Sequence, residues 1–171
     1  MSSSPKRAAS LLALLALAGC GFTPLYGGDG GQEASAQLGE IAVNNIPDRT
    51  GQMLRISLET KLHANGAPVT ELYALTVSYG IATTDIGVLQ DSATTYSRMA
   101  ATANWRLTPI GDPAHPLTTG TATALDSANI IDQQYFALTM ETETVNQRLA
   151  DSVAAQIATQ LAIWFRNHPS A

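Results

Sequence analysis

Cysteine and charge are both scarce in this chain of 171 residues. Cys20 is the only cysteine, and a lone cysteine cannot form an intramolecular disulfide, which excludes a disulfide-stapled secreted domain. Charged residues make up 13% of the sequence, about half of the usual share in soluble proteins. The most apolar stretch, residues 8–18, is shorter than the roughly 20 residues that a membrane-spanning helix needs. What is left is a weakly charged domain whose one thiol needs a separate explanation.

Signatures of catalysis and of metal binding are also missing. The sequence has no G-x-S-x-G nucleophile elbow and no second cysteine to act as a nucleophile. His63, His115 and His168 lack the spacing of metal ligands. Asp85 and Asp91 fall near a predicted turn, where aspartate is favoured for backbone reasons. We therefore expect a protein that is not an enzyme and that binds no metal and no cofactor.

The N-terminus has the pattern of an export signal. Lys6 and Arg7 form a short positive segment, and residues 8–18, which follow, are alanine, leucine and one serine. We predict that residues 1–19 are a signal peptide and that they take no part in the fold.

The end of this signal offers a role for the cysteine. The segment LAGC, residues 17–20, resembles a bacterial lipobox, in which a diacylglyceryl group alkylates the sulfur before cleavage between Gly19 and Cys20. Diacylglyceryl and N-acyl groups on Cys20 would anchor the chain stably in a membrane. The alternative is an ordinary signal peptide with an incidental cysteine. The next residue, Gly21, is not the aspartate typical of inner-membrane retention, which favours the periplasmic side of the outer membrane.

The mature chain predicted from this cleavage, residues 20–171, is acidic. It keeps seven basic residues against 14 acidic ones, a net charge of −7. Nucleic-acid binding requires a basic surface, so a nucleic-acid partner is not expected. Threonine, serine, asparagine and glutamine replace many charges, which would suit a protein enclosed by a polar-walled partner, because such groups are less costly to desolvate than ions. General compositional drift in the source organism would produce the same pattern.

Apolar periodicity predicts six elements. Alternating apolar residues indicate strands, and apolar residues every three or four positions indicate helices. The elements are a strand over 38–46, a helix over 51–64, strands over 70–84, 93–107 and 118–126, and a helix over 138–167. The glycine-rich residues 27–37 predict a flexible tether, so that residues 20–37 precede a single domain at 38–171. The expected fold class is α+β: two helices packed on one face of a roughly four-stranded, largely antiparallel sheet, in the order β-α-β-β-β-α.

Arg98 and Arg106 stand out on the predicted sheet. They lie eight residues apart on the strand face opposite Met99 and Trp105, which we assign to the core. The separation is roughly 27 Å along the strand. Each guanidinium could bind a phosphate or a carboxylate. Two interpretations stay open: ordinary solvated charges, or a site for anionic groups.

Two segments carry a resemblance to a known family. CGFTPLYG, residues 20–27, and IPDRTGQ, residues 46–52, resemble the alphaproteobacterial lipopolysaccharide-assembly lipoproteins, the LptE family. The resemblance implies an outer-membrane lipoprotein without catalytic activity, which plugs and helps to assemble the LptD β-barrel translocon and assists insertion of lipopolysaccharide into the outer leaflet. By motif, only Cys20 and the residues after it transfer from the family: Gly21, Phe22, Pro24, Leu25, Tyr26 and Gly27.

Two further alternatives stay open. Phe22, Pro24, Leu25 and Tyr26 are too apolar for a pure linker, so we expect them to pack either on the domain's own sheet edge or the lipid interface, or on the barrel wall. The alternative function for the whole chain is that of a lipid-anchored periplasmic scaffold or binding module for a different envelope complex.

Overall fold

The computed structural model describes residues 29–64, 66, 70–86, 96–129 and 135–168. The lipidation site Cys20, the cleavage position at Gly19 and the motif Gly21–Gly27 lie outside these residues. The described elements are α1 (Asp29–Gly39), β1 (Ile41–Val43), α2 (Asp48–Leu62), β2 (Tyr73–Asp85), β3 (Tyr96–Pro109), β4 (Thr118–Asn129) and α3 (Tyr135–Asn167).

The four strands form one sheet in the order β1-β2-β3-β4. β1 runs parallel to β2, and the other two pairings are antiparallel. The β2–β3 register runs without interruption from Tyr73 opposite Pro109 to Asp85 opposite Ser97, and the β3–β4 register is equally regular. This arrangement confirms the predicted α+β class and the largely antiparallel sheet.

The helices cover one face of the sheet and form the core with it. Helix α3 packs against α1, α2, β3 and β4. The stripe at four-residue spacing that predicted this helix is fully buried: Val145, Leu149, Val153, Ile157 and Leu161. From the sheet, Leu75, Met99, Trp105 and Leu107 point into the same core. The assignment of Met99 and Trp105 to the core face is therefore correct.

The tether prediction was wrong over the residues that the structure describes. Asp29–Gly39 form a helix in place of a flexible segment, which gives the described residues three helices. Ala34 and Leu38 are 2% and 3% exposed, because they lie one turn apart on the face of α1 that packs on the other helices. Burial of this small apolar face outweighs the low helix propensity of the glycines.

Other predicted boundaries also shift. The first strand has only Ile41–Val43 instead of residues 38–46, because Leu38 belongs to α1 and Ile46 is buried away from the sheet. Helix α2 begins at Asp48 and α3 at Tyr135, each three residues earlier than predicted.

The segment after β1 turns the chain from the sheet into the helix layer. Asn44 continues the contact with β2: its N–H donates to the Leu75 carbonyl oxygen at 2.9 Å, and its Nδ2 donates to Thr76 Oγ1 at 2.9 Å. Ile46 is then 1% exposed, and Pro47 precedes α2 with φ −64°. A Cβ on Gly51 would lie 2.8 Å from Ile46 Cγ2, so the first turn of α2 can pack on Ile46 only with glycine there. The IPDRTGQ segment thus has a structural role at this turn.

Candidate functional site

The face of the sheet turned away from the helices, here called the outer face, is the strongest candidate for a functional surface. Its residues alternate with the core residues along three strands. They are Thr76, Ser78, Gly80, Ala82 and Thr84 on β2, Arg98, Ala100, Thr102, Asn104 and Arg106 on β3, and Thr119, Thr121, Thr123, Leu125 and Ser127 on β4. This set contains two cations and no acidic side chain.

Each of the two predicted arginines lies in a row of hydroxyl side chains. In the sheet register, Arg98 stands between Thr84 and Ser127. Arg106 stands between Thr76 and Thr119 in the same way. A guanidinium with a hydroxyl on each side presents several donors to one anionic group. The structure thus places both arginines as predicted, and it adds the matching hydroxyl rows.

The electrostatic surroundings of these arginines differ from those of Arg49, Arg55 and Arg148. Arg55 pairs with Glu59 at 2.8 Å and Arg148 pairs with Asp126 at 2.8 Å. Arg49 donates to Glu143, and this hydrogen bond raises the pKa of the Arg49 guanidinium. Within the described parts of the chain, neither outer-face arginine contacts a carboxylate in this way, and both are exposed. Among the described side chains, no carboxylate competes with a ligand for their charge.

The middle of the outer face is small and uncharged. Three of its residues there, Gly80, Ala82 and Ala100, leave a low surface beside Leu125, whose side chain is 71% exposed. Thr121 donates its hydroxyl hydrogen to Asn104 Oδ1 at 2.9 Å. The face therefore offers a cationic, hydroxyl-flanked row toward each end and a low, partly apolar centre. This pattern suits an extended ligand that is anionic and also has apolar parts.

The histidines do not come together. His63 Nε2 lies 3.0 Å from the Ile41 carbonyl oxygen, and His115 pairs with Asp112 on an exposed turn. His168 stacks on Trp164 with ring centroids 4.7 Å apart. In the portion of the chain that the structure describes, no group of three or more His, Cys, Asp or Glu side chains could hold a metal ion. Asp91 lies outside the described residues.

A polar cluster between α2 and α3 was not anticipated. Ser57, 4% exposed, donates its hydroxyl hydrogen to Asp151 Oδ1 at 2.6 Å, and Gln147 Nε2 approaches both at 3.4 Å. Its sequence signal was a serine inside the apolar stripe of α2, between Leu54 and Leu58. The cluster is a fixed polar contact between two helices, since its partners satisfy one another.

No helix among the described residues is long and apolar enough to cross a membrane.

Neither a protein-family profile nor a curated protein matches the sequence. Solved structures do share its architecture. A lipoprotein from Caulobacter crescentus CB15 superposes with a TM-score of 0.64 at 19% identity, over 78% of this chain and 96% of that one. A minor lipoprotein from Acinetobacter baumannii gives a TM-score of 0.58 at 18% identity, over 72% and 91%. Rare lipoprotein B from Shewanella oneidensis gives 0.57 at 10% identity, over 75% and 96%. The chain therefore has the fold of these bacterial lipoproteins.

Proposed function

We propose that the chain is a non-catalytic, outer-membrane lipoprotein of the LptE type. In this proposal Cys20 carries the diacylglyceryl and N-acyl groups, and they hold the domain on the periplasmic side of the outer membrane. The domain occupies the lumen of an LptD-like β-barrel, helps it to assemble and assists the insertion of lipopolysaccharide into the outer leaflet. The shared fold with three bacterial lipoproteins and the lipobox at residues 17–20 both support it.

The observation that carries the proposal is the outer face. The three helices that the structure describes lie on the other side of the sheet, so none of them covers this surface, and in this proposal a partner or a ligand does. Barrel interiors are polar, and a surface of threonine, serine and asparagine can exchange hydrogen bonds with such a wall at low desolvation cost. Exposed charges are confined to the two arginine rows, so most of the face carries no ion that the lumen would have to match.

The arginine rows suit the proposed cargo. Lipopolysaccharide is an anionic amphiphile with phosphate groups on a sugar headgroup and with acyl chains. A phosphate can accept hydrogen bonds from Arg98 or Arg106 together with a neighbouring threonine. The low centre around Ala100 and Leu125 offers apolar contact between the rows. Because the mature chain is acidic overall, this local field is what would draw an anion to the face.

Affinity capture of the tagged full chain from detergent-solubilised outer membranes tests the proposal. We expect one large β-barrel protein at one-to-one stoichiometry, identified by mass, which stays bound at high salt. A Cys20→Ala variant, which cannot be acylated, should leave the membrane fraction and recover less barrel. Recovery of the lipoprotein alone, or together with unrelated envelope proteins, would overturn the proposal and favour a scaffold for another envelope complex.

A further inference from the structure

The two edges of the sheet are treated differently. Side chains cover part of the β4 edge: Gln156 bonds both the N–H and the carbonyl of Thr123, and Gln160 Nε2 donates to the Thr121 carbonyl at 3.1 Å. Asp126 Oδ1 accepts from the Ser127 N–H at 2.7 Å. An open strand edge invites pairing with another chain, and such contacts block it.

Among the described residues, strand pairing covers the other edge over three residues. β1 pairs with Tyr73–Leu75, whereas β2 continues to Asp85. The Tyr73 N–H and the Leu75 carbonyl both face β1, and Ala74 faces β3, so the backbone groups alternate in the usual way. Because the β2–β3 register has no bulge, the same parity continues along the strand. The residues whose N–H and C=O groups point outward beyond β1 are Val77, Tyr79, Ile81 and Thr83.

None of these four N–H groups has a backbone partner among the residues that the structure describes. The segment TVSYGIATT, residues 76–84, also lacks three devices that normally protect an edge: it has no charge, no proline and no bulge in its pairing with β3.

We propose that this edge, Val77–Thr83, receives an extended, uncharged segment of the β-barrel partner as an added strand. The inference rests on the proposed function. The open stretch measures roughly 20 Å and offers hydrogen bonds from four residues. An uncharged segment fits because an ion placed against Val77 and Ile81 would lose solvation without gaining a partner. Strands of a closed barrel wall have no free edge, so the segment must come from a luminal loop or a terminus of the barrel protein.

A second copy of this chain is a poorer occupant. β1 blocks Tyr73–Leu75, so two copies of β2 could pair antiparallel only over about seven residues each. That contact alone falls short of the roughly 1,000 Å² that a stable interface buries. A strand that belongs to a larger plug-in-barrel interface does not need to supply the whole area by itself.

Amide-resolved hydrogen exchange on the full-length protein tests the inference, alone in detergent and in the captured complex. The N–H groups of Val77, Tyr79, Ile81 and Thr83 should exchange about tenfold or more slowly in the complex. Those of Ser78, Gly80 and Ala82 face β3 and should be protected in both states. If the barrel is captured and the four outward groups still exchange rapidly, the added strand is refuted and the proposed function stands. If no barrel is captured, both fail.

A pair of variants at one position gives a second measure. Thr83→Pro removes one outward N–H, and proline is tolerated on edge strands because that group has no partner within the sheet. Thr83→Ala keeps the N–H and serves as the matched control. We expect Thr83→Pro to recover at least about tenfold less barrel than Thr83→Ala. Equal recovery of the two would overturn the inference, and should Thr83→Pro not fold, the exchange measurement on the unmodified chain decides.

Discussion

The side-chain amide of Gln156 binds the backbone of Thr123 on both of its polar groups. Nε2 donates to the Thr123 carbonyl oxygen at 2.8 Å, and Oε1 accepts from the Thr123 N–H at 3.3 Å. A glutamine on α3 thereby takes the place that a fifth strand would occupy beside β4. The long helix consequently serves both the core, through its buried stripe, and the edge of the sheet, through its amides.

Replacing Gln156 by alanine should expose this edge. We expect the Thr123 N–H to exchange faster and the free energy of unfolding to fall by about 1 kcal/mol, because water replaces part of what the two hydrogen bonds contribute. Thr159→Ala is the control, since the Thr159 hydroxyl donates to the Ala155 carbonyl of its own helix. Hydrogen exchange and urea unfolding measure the difference. Unchanged exchange at Thr123 would show that the amide contact is not formed in solution.

Gly120 should tolerate no side chain. It lies opposite Trp105, and a Cβ there would stand 2.5 Å from Trp105 Cζ2, while the indole N–H is held by Gln160 Oε1 at 3.0 Å. We expect Gly120→Ala to reduce the free energy of unfolding by about 1–3 kcal/mol through overpacking. Gly80→Ala is the matched control on the opposite face of the sheet, where it should be neutral or slightly stabilising. Thermal unfolding measures both variants. An equal loss in the free energy of unfolding for Gly120→Ala and Gly80→Ala would contradict the overpacking explanation.

Gly51 gives a similar test in a helix. Alanine is the better helix former by about 1 kcal/mol, so propensity alone predicts that Gly51→Ala stabilises the protein. A Cβ there would lie 3.0 Å from the Ile46 carbonyl oxygen as well as against its side chain, so we expect net destabilisation. Gly39→Ala, where a Cβ would meet nothing within 4 Å, is the control. A stabilised Gly51→Ala protein in urea unfolding would mean that Ile46 is free to move aside.

Tyr79 should make the free energy of unfolding fall as the pH rises above 10. Burial raises the pKa of its hydroxyl to about 12 from an ordinary 10.0, and the buried oxygen has no hydrogen-bond partner among the described residues. Below pH 10 the phenol is protonated in both the folded and the unfolded protein, so the free energy of unfolding is at its full value. Between pH 10 and 12 it falls, because the phenol ionises in the unfolded chain before it ionises in the folded one.

Tyr79→Phe should therefore flatten the pH dependence of the unfolding free energy above pH 10. At pH 7 it should be neutral or stabilising, since it removes a buried, unpaired hydroxyl. A smaller decline should persist from Tyr73, whose pKa burial also raises. Urea unfolding at pH 7, 9 and 11 checks both parts. A loss above about 1 kcal/mol at pH 7 would indicate that the hydroxyl is hydrogen-bonded.

Arg98→Ala combined with Arg106→Ala should weaken binding of lipopolysaccharide about tenfold or more at physiological salt, because hydrogen bonds to charged groups contribute about 1.5–3 kcal/mol each. Stability should change by less than about 0.5 kcal/mol, since both side chains are exposed on the outer face. Arg166→Ala, an exposed position near the end of α3, removes one charge elsewhere and should leave binding unchanged. Displacement of a fluorescent lipopolysaccharide probe measures the three proteins. Equal affinities would refute the outer-face site.

The parts of this fold that were predictable are those set by local periodicity. Alternation around Met99 and Trp105 was sufficient to assign Arg98 and Arg106 to the opposite face, because side chains in a strand alternate strictly. Helix α1 was missed because only Ala34 and Leu38 mark its buried face, and their burial depends on contact with helices that follow later in the chain. Helix propensity depends on neighbouring residues in the sequence and therefore could not indicate that contact.

The hydroxyl rows could not have been predicted for a related reason. They require Thr84 and Ser127 to stand beside Arg98, and this depends on the register between strands that are separated by connecting segments. Many registers are compatible with the same alternation as long as they differ by an even number of residues. The covered β4 edge likewise depends on where Gln156 lies relative to Thr123, 33 residues away.

The uninterrupted register has a consequence for how this sequence can change over evolution. From Tyr73 to Asn129 the paired positions of three strands contain no bulge to absorb an extra residue. Inserting or deleting one residue within β3 would turn one arginine toward the core and would bring Met99 or Trp105 into solvent. Substitutions can accumulate on the outer face one at a time, whereas changes of length are tolerated only in the turns, such as residues 110–117. Arg98 and Arg106 stay on the same face only while an even number of residues separates them. Lineages that keep the fold and both arginines must therefore keep this spacing even.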